Sequence, residues 1–473
     1  MDNPTPLTQE ELNDDMVTIG VGRYRHKVEN AKARGSEAET SYGQRLIRGA
    51  LPAYIKAIAD LKTTWAEVKN KGRWQKDILA MPSEKLGFLV MRTVLDQLTK
   101  STKMAALSVK VGSVVDYQRR SELLVKSNPK GEGIILGAQR RTGWQATKAH
   151  VRKSMKHEVD KGLMEEIPAW TRRDIVATGF NLIELLRAVT GVIEYRYITD
   201  LGRRNPSRYV TASSETLTWI DEFNHHKEII TPFWLPTVNT PMEWTGIWEG
   251  GYRLEDSSLP KLPFIKTTNM EFLRTLEGKL EEPMEACNLI QQTPWKINEP
   301  VLDVMKWAWE NSVKVGGLPS REDEIMPDVP NDFHENKKSN LRWRVMASGI
   351  HKRNLSTRSR RLLVAKVLFL ADKLVGNRFF YPTHCDFRGR VYNVPSFLGI
   401  QGPDMCRGIL HFARPQRIKT DTDRRWLAIQ GANTWGYDKV TLDKRVEWAE
   451  NFTGDAIRIA AAPTKELLWT DAD

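Results

Sequence analysis

The sequence predicts a mainly α-helical protein carrying a few short strands, on three observations. Apolar residues recur at helical spacing through most of the chain, as in Leu46, Ile47, Leu51, Tyr54, Ile55, Ile58, Leu61 and Trp65. Strand-like patterns are confined to two places, Val192–Ile198 with Arg208–Ala212, and the run from Arg388 to Val394. Stretches rich in Pro and Gly, at 231–251 and 315–335, punctuate the helices.

At 473 residues, 40% hydrophobic and 27% charged, the chain suits about two to four domains with buried cores. Its formal net charge of +12 favours a polyanionic partner, nucleic acid above all. The three cysteines, Cys287, Cys385 and Cys406, are widely spaced and form no C-x-x-C pair. They fit a reducing cytoplasm and argue against a disulfide framework and a zinc site. The opening Met1-Asp-Asn-Pro-Thr-Pro has neither a signal nor a transit pattern, and no apolar run approaches the length that spans a bilayer.

Taken in order, residues 1–40 are polar and acidic, and a frayed or loosely helical start is expected. A long amphipathic helix over Tyr42–Val68 runs into a basic turn, Lys69 to Lys76, containing Lys71, Gly72 and Arg73. Met81-Pro-Ser-Glu opens a further helix, with helical pattern continuing toward Tyr117. Residues 126–145 read as a mobile basic connector without a phosphate-cradling motif, and a helix with a basic face follows over 145–163. Thr171 and Asp174 form a capping signal before a core stripe of Val176, Phe180, Ile183 and Leu186. Two strands then flank Asp200-Leu201-Gly202-Arg203-Arg204-Asn205-Pro206, a hairpin. Helices are expected over Asn269–Gln291, with a kink at Pro283, and over Pro300–Glu310.

The strongest charge signal is at Lys337–Lys366, with ten Lys plus Arg and no Asp or Glu. It includes Arg342, Arg344, Lys352, Arg353, Arg358, Arg360 and Arg361. Such a run repels itself unless a polyanion or solvent offsets it. Leu362, Leu363, Val367, Leu370 and Leu374 still provide a buried side. From Arg388 on, a period of two puts Arg388, Arg390 and Tyr392 on one strand face, the two guanidiniums roughly 6–7 Å apart, near the spacing of successive phosphates. A solvated edge strand fits the same pattern.

The run Asp386-x-x-Gly389-Arg390-Val391-Tyr392 resembles the Asp-x-x-Gly-Arg motif of the single-subunit RNA polymerases of bacteriophages and mitochondria. Gln401-Gly-x-Asp404-Met-x-x-Gly408, Gly431-Ala-Asn-x-x-Gly436-x-Asp438-Lys439-Val, Gly250-Gly251-Tyr252 and Thr293-Pro-Trp-Lys296-Ile-Asn298 also resemble that family and fall in its order. The resemblance spans roughly 240–473 and is patchy before it. It implies an incomplete right-hand polymerase fold, with a helical promoter-binding domain bearing a β-hairpin (1–314), a linker and thumb helices (315–378), and the start of a palm (379–473). Arg390 and Tyr392, with Arg388, would then contact an RNA:DNA hybrid and initiating nucleoside triphosphates beside the active site. Lys69, Lys71 and Arg73 fall where the family carries a loop for the minor groove of promoter DNA, although a solvated interhelix loop fits equally. Leu201, with Arg203 and Arg204, matches the hairpin tip that wedges open the bubble, against an ordinary surface hairpin. The ten cations match a two-helix thumb, and Arg407 joins the nucleic-acid set.

The family's catalytic aspartates lie beyond the motifs found here, and the chain reads as the front half of a polymerase. No catalytic residue and no metal ligand is therefore expected within it; magnesium would belong to the complete enzyme, in an infected bacterial cytoplasm. Asp386, Asp404 and Asp438 are expected in structural hydrogen bonds. Other accounts stay open: a split polymerase with a second chain bringing the carboxylates, a non-catalytic fragment that binds nucleic acid, or an unrelated helical nucleic-acid-binding module.

Overall fold

The computed structural model describes residues 7–127, 133, 153–162, 169–199, 205–253, 259–313 and 315–471. They are mainly helical and form two compact units, residues 21–230 and residues 1–20 with 231–473. The sequence start is firmer than its polarity suggests: α1 (Gln9–Arg34) is a continuous helix. Its apolar residues make no single stripe because Leu12 and Met16 bury in one core and Val28 in the other.

In the unit 21–230, α2 (Ser41–Glu67) starts at Thr40, whose side chain accepts from the Gly43 amide, and buries Tyr42, Ile47, Tyr54, Ile58 and Trp65. The helical stripe read from the sequence is thus the core stripe. The basic turn is shorter than expected, because α3 (Arg73–Leu79) already begins at Arg73. The expected helix toward Tyr117 is two helices, α4 (Ser83–Leu95) and α5 (Met104–Ser127), parted by β1 (Thr102–Lys103). Buried Glu37 accounts for the break, since its carboxylate accepts from Tyr42 Oη at 2.8 Å and from Thr99 Oγ1 at 2.9 Å.

The next labelled helix, α6 (Arg172–Thr190), has the foreseen capping box between Thr171 and Asp174. Its buried face is Thr178, Leu182, Ile183 and Leu186, while Phe180 faces out. Gly179 explains that rotation: a Cβ there would lie 1.9 Å from Ser108 O, and one on Gly112 would lie 2.0 Å from Ile175 O. The glycines let α5 and α6 touch backbone to backbone. The strands β2 (Ile193–Ile198) and β3 (Ser207–Ala212) pair antiparallel in sheet order β1-β3-β2. The helix α7 (Ser214–Ile229) completes the unit. The connector and most of the basic helix anticipated over 126–163 lie outside the described residues, as does the hairpin tip with Leu201, Arg203 and Arg204.

The second unit opens with the extended, Pro-rich segment after Thr231, then β4 (Ile265–Lys266). The single kinked helix anticipated over 269–291 is instead α8 (Met270–Thr275) and α9 (Glu281–Gln291). The break falls at Gly278, φ +70°, and Pro283 sits harmlessly in the first turn of α9. After β5 (Trp295–Ile297) and α10 (Glu299–Glu310), the cation-rich run forms one helix, α11 (Lys337–Leu374), where a pair was expected. Its carboxyl half buries Val364, Val367, Leu370, Ala371 and Leu374, leaving Leu362 exposed.

The strands β6 (Thr383–Asp386) and β7 (Val391–Asn393) form an antiparallel hairpin, with β4 parallel to β6 on the other side. A short α12 (Asp404–Gly408) leads into β8 (Leu410–Phe412), which pairs with β5. The helices α13 (Asp421–Trp435) and α14 (Leu442–Ala461) pack as an antiparallel pair around Trp435, Trp448 and Phe452.

Candidate nucleic-acid interface

The Asp386–Arg390 loop is a tight hairpin turn, and Asp386 organises it. Its Oδ1 accepts the Arg388 and Arg390 amides at 2.8 and 3.0 Å, and its Oδ2 accepts Arg388 Nε and Nη2 at 3.1 and 3.0 Å. The Asp386 amide donates to Arg390 O at 2.8 Å, closing the hairpin. Gly389 takes φ +78°, the left-handed conformation that a three-residue hairpin loop requires. Burial pushes the Asp386 carboxyl up, but the Arg390 and Arg388 amides and the Arg388 guanidinium outweigh it and hold it below the usual carboxylate range.

This geometry revises the period-two reading. Arg388 belongs to the turn rather than to a strand, folds back onto Asp386, and lies 5.1 Å from the centre of the exposed Phe387 ring. Arg390 is exposed, and its guanidinium has no ion-pair partner among the described residues. Tyr392 alone occupies the strand, half-buried opposite His384.

The turn is held from behind by residues of the other motifs. Gln401 donates to Val391 O at 2.9 Å and accepts from the Asn393 amide at 3.1 Å, fastening the edge of β7. Reading the sequence singled out its motif but not this role. Trp244 Nε1 donates to Thr383 O at 2.7 Å, and Gly250 packs against Trp244 so closely that a Cβ would meet its Cα at 2.6 Å. His384 is 6% exposed, its Nδ1 has no hydrogen-bond partner among the described residues, and burial, with Lys266 adding to it, pushes its imidazole down to about 4.

The basic helix is less free than its sequence implies. Arg353 grips Glu324 through Nε and Nη2 at 2.8 and 2.7 Å, and Asp323 pairs with both Arg358 and Arg361. Three of the seven arginines and lysines singled out on α11 are thus occupied from within the chain. Arg344 lies 5.9 Å from the Phe333 ring centre, and Arg342, Lys352 and Arg360 are exposed. Among the other candidates, Arg407 pairs at the surface with Asp404, Lys71 Nζ donates to Val68 O, Lys69 is exposed, and Arg73 is the first residue of α3, after the Gly72 N-cap. Lys69, Lys71 and Arg73 belong to the unit 21–230, whereas the turn and α11 belong to the other.

Asp386, Asp404 and Asp438, expected in structural hydrogen bonds, each have a partner within the chain. Asp386 is committed to its own turn, Asp404 pairs with Arg407, and Asp438 with Lys439. No group of three His, Cys, Asp or Glu side chains among the described residues converges as a metal-ligand set. Nor is any described helix long and apolar enough to cross a membrane.

A family model described as DNA-dependent RNA polymerase matches residues 419–473. Over 98% of its length the chain is 27% identical to T7 RNA polymerase of Escherichia phage T7, covering 53% of that protein. It is 26% identical to the DNA-directed RNA polymerase of Enterobacteria phage T3, with the same coverage on both sides. A mitochondrial DNA-directed RNA polymerase of Nicotiana tabacum is 24% identical over 90% of this chain and 46% of its own. The chain therefore spans about half the length of the curated relatives it matches.

Proposed function

We propose that the chain is a relative of the single-subunit DNA-directed RNA polymerases of phages and organelles, and that it is the nucleic-acid-holding part of such an enzyme. In this reading Arg390, Arg388 and Tyr392 meet the RNA:DNA hybrid and the initiating nucleoside triphosphates, and α11 grips the hybrid as a thumb. Residues 1–314 hold promoter DNA, with Lys69, Lys71 and Arg73 at its minor groove and Leu201, Arg203 and Arg204 at the edge of the bubble. Residues 315–378 are linker and thumb, residues 379–473 begin the palm, and the bacterial cytoplasm is the site of action.

One observation carries the reading. Asp386 spends its whole hydrogen-bonding capacity on fixing a turn that leaves the Arg390 guanidinium in solvent without a carboxylate partner among the described residues. An arginine left unpaired in solvent on a fixed turn is available to a phosphate oxygen. Such residues act by positioning, so they matter to nucleotidyl transfer without moving a proton. The metal-assisted step itself belongs to residues other than those placed here.

A second reading, with the catalytic carboxylates supplied by further polypeptide, is favoured by the surface of the last two helices. α14 buries none of its residues, and Trp426, Leu427 and Ile457 are 57–64% exposed. Nucleotide incorporation on a primed RNA:DNA hybrid with magnesium tests both readings. The 473-residue chain alone is expected to bind the hybrid in preference to duplex DNA and to add no nucleotide. Incorporation by the chain alone would overturn the assignment of catalysis elsewhere, and equal affinity for hybrid and duplex would overturn the hybrid-holding role.

A further inference from the structure

The segment preceding α11 was expected to be a linker, but it is fastened along that helix in antiparallel order. Ser320 O accepts Arg361 Nε at 2.6 Å, Asp323 meets Arg361 and Arg358, Glu324 meets Arg353, and Pro327 O accepts Trp343 Nε1 at 2.9 Å. Asp332 then accepts Ser339 Oγ at 2.7 Å. From Arg361 back to Ser339 the helix covers about 33 Å at its standard rise. The twelve residue steps from Ser320 to Asp332 reach at most about 40 Å, so the strap runs nearly extended.

Two kinds of contact hold it, and they differ in what can replace them. Asn354, 8% exposed, donates to Glu324 O at 3.0 Å and accepts the Glu324 amide at 2.8 Å, so its grip is on backbone. Trp343 also holds a backbone carbonyl, with Phe333 edge-on against its ring at 5.3 Å. By contrast two of the three arginines pair at the surface, with the Arg353 and Arg358 side chains 58% and 62% exposed, while that of Arg361 is 21% exposed. Surface pairs of this kind contribute little and exchange readily for another anion. The strap's sequence is acidic throughout, carrying Glu322, Asp323, Glu324, Asp328, Asp332 and Glu335 against a single arginine, Arg321.

We propose that this strap is a competitor in cis: Asp323 and Glu324 stand where phosphates of a nucleic-acid backbone bind, and they guard an anion site made by Arg353, Arg358 and Arg361. The inference rests on the reading that α11 meets nucleic acid. The strap stays anchored at Asn354 and Trp343 while its carboxylates yield the arginines to phosphates. In the intact protein salt weakens competitor and ligand together, so binding is less salt-sensitive than the cation count of α11 implies.

The test is fluorescence anisotropy of a labelled RNA:DNA hybrid from 50 to 200 mM salt, with wild type and the double variant Asp323→Asn/Glu324→Gln. The variant keeps the backbone anchors and should bind more tightly at low salt. Three freed phosphate contacts steepen the salt slope by about 2.7, an additional loss of about 40-fold across that range. The charge-matched control Asp328→Asn/Glu335→Gln should show neither effect. A variant that matches or falls below wild type overturns the competitor, and so does an equal gain in the control. If neither wild type nor variant binds the hybrid, the hybrid-holding reading falls as well; binding by both with coincident curves removes only the competitor.

Discussion

Acidification should loosen the motif hairpin through one residue, His384. Its imidazole sits on β6 across from Tyr392, is 6% exposed, and is held near 4 against an ordinary 6.5 by burial and by Lys266. Because the folded pKa is depressed, the unfolded chain takes up the proton first. The neutral histidine's full contribution is present above about pH 6.5, fades as pH falls, and is gone below about pH 4. The full shift is worth about 3 kcal/mol, and at pH 5 roughly 2 kcal/mol of it is already lost. Urea unfolding of wild type and His384→Gln, measured at pH 7.5, 6 and 5, checks this. The variant loses stability at pH 7.5 but should lack the part of the acid dependence that His384 supplies, so the two curves converge on acidification. Parallel decline of the two proteins would refute the reasoning, because the pH dependence would then come from other groups.

Further expectations follow from individual contacts. Asp386→Ala should weaken hybrid binding through collapse of the turn, while Asp386→Asn, which keeps an acceptor for the two amides, should weaken it less; equal loss in an anisotropy titration would deny Asp386 its organising role. Gly179→Ala places a methyl against the Ser108 carbonyl and should cost about 1–3 kcal/mol or more, read by thermal unfolding. Tyr54→Phe removes the buried hydrogen bond to Leu182 O and should cost about 1 kcal/mol without changing hybrid affinity. Cys287, Cys385 and Cys406 are all buried, so a thiol reagent should label none of them rapidly until urea is added.

What the sequence made legible was whatever depends on local pattern. The stripe of α2 and the capping box of Thr171 and Asp174 could be read directly because helix periodicity and side-chain caps are contained within a few residues. The pairing of β2 with β3 followed from strand residues flanking a turn. Less legible was anything set by tertiary contact. The cations of α11 were counted without a counter-charge because Asp323 and Glu324 lie outside the run and reach it only through folding. Arg388 was placed on a strand face because the alternation counts residues, whereas the Asp386 carboxylate and the left-handed Gly389 convert that stretch into a turn. Gln401 gave no signal of its own, since its work is to bond the backbone of a strand eight to ten residues earlier. Likewise α1 read as frayed or loosely helical because its apolar residues serve two cores rather than one face.

The central claim is that the Asp386 turn holds nucleic acid through its arginines, and a hybrid titration of Arg388→Ala/Arg390→Ala against wild type at 50 mM salt tests it most directly. The account predicts markedly weaker binding and a salt slope shallower by about 0.9, for the one phosphate contact of the unpaired Arg390. Unchanged affinity and slope, with the fold intact by circular dichroism, would contradict it.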